Sequence, residues 1–183
     1  YERLSTPQLT QGGIQRRPST RGKELWEHLG ATTLRRGSST LSKPYAAFIS
    51  HMKAETSMES RFLQTELERK LERRCFLDSD DLQDLRLLLE HVKASDVLVL
   101  LQTKSVFERP WVIMELHTAI MHNVPIVALN ISNSYPYDFD AALDFLTHFE
   151  TEIDVANPDA ASFLVDHGVD PLDVAWRLST VLP

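Results

Sequence analysis

The segment Asp96-Val97-Leu98-Val99-Leu100-Leu101-Gln102 (DVLVLLQ) decides the fold. It is a short apolar run, bounded by polar residues and apolar on both faces, and it reads as a buried strand. Strands of this kind suit the centre of a parallel sheet covered by helices on both sides. Downstream, Arg109 to Ile120 (RPWVIMELHTAI) reads as a helix opened by Pro110. Ser105-x-x-Glu108 just before it resembles a capping box. Upstream and further downstream the same alternation continues. Tyr45 to Ser50 (YAAFIS) reads as a first strand. Thr56 to Arg74 is helical, with Met58, Phe62, Leu63, Leu67 and Leu71 at three- and four-residue spacing. Cys75 to Asp78 (CFLD) reads as a second strand, and Leu82, Leu85, Leu89 and Val92 mark a second helix. Val124 to Asn130 is expected to be a fourth strand, Asp138 to His148 a helix, Glu152 to Val155 a brief fifth strand, and Pro171 to Leu182 a closing helix. Strands alternating with helices predict an α/β fold with five parallel strands, doubly wound, with sites at the carboxyl ends of the strands.

Composition divides the chain of 183 residues into two parts. Residues 1–44 hold five of the six glycines and carry a net charge of +5, whereas residues 45–183 carry −12. The first part reads as a basic, flexible extension. Within it Lys23 to Leu29 forms a candidate short helix and Arg35 to Ser42 a linker. The second part is the domain, and so acidic a surface argues against electrostatic nucleic-acid binding. No apolar run approaches the ~18 residues of a membrane span, and there is no apolar signal-peptide core. The chain starts at Tyr1 without a methionine and is read as a fragment of a longer protein. Cys75, the single cysteine, has no internal disulfide partner and is read as a packed apolar residue in a protein of the reducing cytosol.

Absences narrow the chemistry. Gly168 is the only glycine beyond residue 44, so neither a GxGxxG turn nor a Walker loop can be built in the domain. The seven histidines show no metal-ligand spacing, and no metal site is expected. A phospho-receiver domain would place paired acids after the first strand and an acceptor Asp after the third. The chain instead has Ser50-His51 and Gln102-Thr103 there. On the helix opened by Pro110, about 100° per residue aligns Val112, Ile113, Leu116 and Ile120 in an apolar stripe. Trp111, Glu115, Thr118 and His122 fall within about 60° of one another on a different face. Glu115 is therefore expected to point away from the core. It is either a solvated surface acid or, beside an indole near the sheet's ligand-binding edge, a catalytic carboxylate.

In combination these pieces resemble the Toll/interleukin-1 receptor (TIR) domain. The matching residues are AFISH (Ala47 to His51), FLDSDDL (Phe76 to Leu82), VLVLLQTKSVF (Val97 to Phe107) and PWVIMEL (Pro110 to Leu116). The resemblance implies a flavodoxin-like sheet of five parallel strands over residues 45–183. It also implies one of two functions: an NAD+ hydrolase, with NAD+ as substrate rather than cofactor, or an adhesive module that recruits other TIR domains. A nucleotide-binding regulatory domain without turnover is a more distant reading. In the hydrolysing branch the glutamate of the W-x-x-x-E segment is catalytic, which maps onto Glu115 with Trp111 before it. Ser50 and His51 at the end of the first strand, and Asp78, Asp80 and Asp81 around the next loop, are the candidates for touching substrate. Homotypic self-association and a cytoplasmic location are implied with them. The chain departs from the family at Leu82-Gln83-Asp84-Leu85-Arg86, where leucine replaces a frequent glycine, so a stiffer loop is expected.

Overall fold

The structure is a computed structural model that describes residues 42–78 and 84–181. The proposed extension up to residue 41, including the Lys23 to Leu29 helix, lies outside the described residues, as do Asp80, Asp81 and Leu82.

Four parallel strands form one sheet: β1 (Ala47–Ser50), β2 (Cys75–Leu77), β3 (Leu98–Gln102) and β4 (Ile126–Asn130), in the order β2-β1-β3-β4. The segment that decided the fold lies inside the sheet, with β3 paired to β1 on one side and to β4 on the other. In register, Ser50 lies opposite Leu100 and Gln102 opposite Asn130. Among the described residues seven α-helices accompany the strands: α1 (Lys53–Leu71), α2 (Leu85–Lys93), α3 (Pro110–Met121), α4 (Phe139–Thr147), α5 (Phe149–Ala156), α6 (Ala160–Asp166) and α7 (Pro171–Val181).

Because successive strand residues point to opposite faces, β1 and β3 feed two cores. Phe48, Leu98 and Leu100 pack with buried residues of α2 to α7. Ala47, Ile49, Val99 and Leu101 join Cys75 on the other face, where Leu63 and Leu67 of α1 cover them. Both faces are thus covered, as the unbroken apolar run of β3 requires, and Cys75 packs in the second core.

Two local expectations fail. Glu152 to Val155 is not a fifth strand but part of α5. Phe149 and Ile153, four residues apart, are the buried residues of that helix, so a helical stripe overrides the brief alternation of Glu152-Ile153-Asp154-Val155. With no strand beyond it among the described residues, β4 is an edge, and Val127 is 45% exposed. The Ser105-x-x-Glu108 capping box does not form either. Val106–Glu108 is a separate 3-10 turn with no side-chain cap at Ser105. Arg109 is then extended, as a residue preceding proline prefers, and Pro110 opens α3.

Phe48 is fully buried and stacks on Phe76 at 5.3 Å between ring centroids. Phe48→Ala is expected to cost about 3–5 kcal/mol in urea denaturation. Met58→Ala, at a residue 80% exposed on α1, should change stability by no more than about 0.5 kcal/mol.

Candidate functional site

The carboxyl ends of β1, β2 and β3 bring together residues that are far apart in sequence. Ser50 is the last residue of β1, and His51 follows it. Asp78 follows β2, and Thr103 follows β3. All four are buried. Glu115 reaches this end of the sheet from the middle of α3, where its Oε2 accepts a hydrogen bond from the Ser50 hydroxyl.

The burial of Glu115 corrects the expectation drawn from the helical stripe. The residue is 0% exposed, and Thr118 on the same face is 6% exposed. The angular pattern along α3 is as expected, but the helix packs against α2, α6, α7 and β4, so residues off the main stripe are enclosed too. Trp111, one turn earlier, is half-buried. It lines a cavity of about 460 Å³ with Arg109, Asn157, Pro158 and Phe163. A second cavity of about 250 Å³ is lined by His51, Lys53, Ser57, Ser60, Arg61 and Asp78. A third, of about 330 Å³, includes Met52, Lys53, Arg109 and Asn157. Glu115 lines none of the three. The carboxyl therefore does not open onto a crevice beside the indole, and the candidate substrate residues divide between different hollows. Asp81 lies outside the described residues.

A residue with no part in the sequence-based reading ties these pieces together. Arg109 immediately precedes α3, and its guanidinium makes two contacts. Nη2 donates to Asp78 Oδ2 at 2.7 Å, and Nη1 donates to the His51 carbonyl oxygen at 3.1 Å. The planar fork suits such a double contact. The ends of β1 and β2 are thereby pinned to the start of the helix that carries Glu115. The sequence offered a basic residue just before a helix-opening proline and an acid closing CFLD, with nothing to mark Asp78 over Asp80 and Asp81 as its partner.

Burial decides the charge states. Desolvation pushes the Glu115 carboxyl up to about 8, reinforced by the negative charge of Asp78 and opposed by the Ser50 hydrogen bond, Arg109 and Lys53. At neutral pH this group is an uncharged acid. Burial also holds the His51 imidazole down to about 4, with Arg109 and Lys53 adding to the effect, so it is neutral. Among the described residues, Glu115 Oε1, His51 Nδ1 and Thr103 Oγ1 are buried without a hydrogen-bond partner. A neutral carboxylic acid tolerates such a setting far better than a carboxylate does.

No family model matches the chain, and no curated protein matches it. Among solved structures, it is similar to the TIR domains of the activated Roq1 resistosome, an assembly that directly recognises the pathogen effector XopQ. The likeness has a TM-score of 0.51 at 17% sequence identity and covers 75% of this chain and 82% of that one. The chain has a TIR-like fold, an α/β architecture with a parallel sheet. No helix among the described residues is long and apolar enough to cross a membrane.

The two shifted groups predict a pH dependence of stability. Glu115 binds a proton in the folded chain between its ordinary value of 4.5 and about 8, where the unfolded chain does not, so its contribution falls as pH rises. His51 acts oppositely between about 4 and its ordinary 6.5, where only the unfolded chain binds the proton. The slopes offset one another between 4.5 and 6.5, and from 6.5 to about 8 Glu115 acts alone. Urea denaturation at a series of pH values should therefore show stability falling by about 2 kcal/mol over that upper interval. Glu115→Gln should remove this fall.

Proposed function

We propose that this chain is an NAD+ hydrolase that cleaves the bond between nicotinamide and ribose, with Glu115 as the catalytic carboxyl. The observation that carries the reading is the placement of Glu115 at the carboxyl ends of the parallel strands, held by Ser50. Ligands of open α/β sheets bind in this region. The chemistry asks little of the protein. The nicotinamide ring of NAD+ is cationic at its glycosidic nitrogen and departs as a neutral base, so no general acid is needed for the leaving group. Positive charge builds on the ribose, and one carboxylate beside it stabilises that charge. Water then adds to C1′ and loses a proton, giving ADP-ribose.

The resting carboxyl is in the wrong charge state for this task and is enclosed. A cationic substrate meets both the need and the obstacle. Its positive ring, brought near Glu115, favours the ionised form and draws the proton off. Enclosure in turn keeps the carboxyl from reacting with water alone. Trp111 lines the neighbouring cavity, where an aromatic ring could stack on its indole. The likeness to the TIR domains of an assembled resistosome supports self-association as the event that opens the site, and a cytoplasmic setting completes the reading.

The second reading is a TIR interaction module without catalysis. The complete burial of Glu115 favours it, since a carboxyl bonded to Ser50 inside the fold also serves to fix α3 against β1.

The test is nicotinamide release from NAD+ by concentrated or artificially clustered protein. Under the first reading, Glu115→Ala and Glu115→Gln lose activity by about 100-fold or more. Activity in the unchanged protein should rise as pH approaches 8. No release from clustered protein leaves the interaction module. Release that survives Glu115→Ala but fails with Trp111→Ala removes Glu115 from the chemistry.

A further inference from the structure

We infer that the Arg109–Asp78 ion pair is a positioning element whose two opposed charges tune how readily the buried Glu115 carboxyl gives up its proton. Its meaning for catalysis rests on the hydrolase reading above, but the inference itself concerns the charge of one carboxyl and can be tested without turnover.

The argument begins with geometry. Asp78 is 3% exposed and Glu115 0% exposed, so two carboxyl groups occupy one poorly solvated end of the sheet. Two carboxylates in such a place cannot both ionise freely unless a cation stands with them. Arg109 supplies it. Its guanidinium stays charged under any condition in which the chain is folded. It is held at a fixed place by Asp78 on one side and the His51 carbonyl on the other. Arg109 also belongs to the backbone that leads directly into α3, so the cation and Glu115 are fixed relative to each other by one helix.

Three charged groups act on Glu115. Asp78 follows β2, Arg109 precedes α3, and Lys53 opens α1. His51, after β1, contributes no charge at neutral pH because burial keeps its imidazole unprotonated. Asp78 disfavours the ionised glutamate, and Arg109 and Lys53 favour it. Arg109 and Asp78 are bonded directly to each other, so two of the opposing fields are mechanically coupled. Removing either end upsets the balance between them.

That coupling gives the inference a signature that loosening of the fold cannot imitate. Changes at the two ends of one ion pair should move Glu115 in opposite directions. The pair also meets the surface at both ends, since Asp78 lines the 250 Å³ cavity and Arg109 lines the 330 and 460 Å³ cavities. A charged ligand entering any of them acts on Glu115 through the pair without touching it.

The experiment is a side-chain carbon-13 NMR titration of Glu115, with the resonance assigned by its loss in Glu115→Gln. Arg109→Ala should move the ionisation midpoint upward by about one pH unit or more, because only Lys53 then opposes the field of Asp78. Asp78→Asn should move it downward by a similar amount, because Arg109 is then uncompensated. Arg109→Lys keeps the charge and should stay near the parent midpoint. Where nicotinamide release is measurable, its pH profile should move with the titration. Midpoints unchanged in both charge-removing variants, or shifted in the same direction, overturn the inference. Should Arg109→Ala fail to fold, a downward shift in Asp78→Asn with an unmoved Arg109→Lys supports it, and no shift in Asp78→Asn overturns it. Opposite shifts in a protein that releases no nicotinamide at any pH uphold the charge coupling and remove the hydrolase reading instead.

Discussion

The hydrogen bond from Ser50 to Glu115 is the constraint around which the functional end of the molecule is organised. It joins the last residue of β1 to the middle of α3, two elements 65 residues apart. A carboxyl taken entirely out of water is costly when charged, and a single hydroxyl does not compensate for that loss. The fold meets the cost by leaving the acid protonated at neutral pH. The neighbouring acid is handled differently. Asp78 is nearly as buried but carries its own cation, Arg109, at 2.7 Å. One end of the sheet therefore holds two carboxyl groups kept by different means, one paired with a cation and the other neutralised by burial.

Such an arrangement separates structural duty from chemical potential. Arg109 and Asp78 together bridge β1, β2 and the start of α3, which fixes the frame. Glu115 is left with a labile proton and one oxygen without a partner among the described residues. A group in this state responds strongly to any charge brought near it, a cation favouring its ionised form and an anion its protonated one. Among the described residues, Glu115 is fully enclosed. The hollows lie around Arg109, Lys53 and Trp111, while the carboxyl sits apart from them.

Much of the framework was legible in the chain. DVLVLLQ could only be an interior strand, and the apolar spacing of α2 and α7 and the proline opening α3 located those helices well. Glu152 to Val155 misled because two apolar residues alternating with two acids do not distinguish a strand from one turn of a helix. Its spacing from Phe149 held the answer. Glu115 was singled out by its place in the W-x-x-x-E segment, but its burial was not legible. A helical wheel gives the direction of a side chain relative to its neighbours and says nothing of what packs on that side. Here the end of β1, 65 residues upstream, meets the carboxyl through Ser50. Arg109 was passed over because its partner follows a different strand, and a pairing across 31 residues is visible only once the strands are adjacent.

The charge state of Glu115 is where the account can be tested most directly. Infrared spectra of the parent protein and Glu115→Gln, subtracted at pH 6, should contain the carbonyl band of a protonated carboxylic acid belonging to Glu115. Raising the pH past about 8 should replace it with carboxylate bands. A carboxylate signal already complete at pH 6 would contradict the account, because Glu115 would then be a solvated or paired ion and not a buried, poised acid.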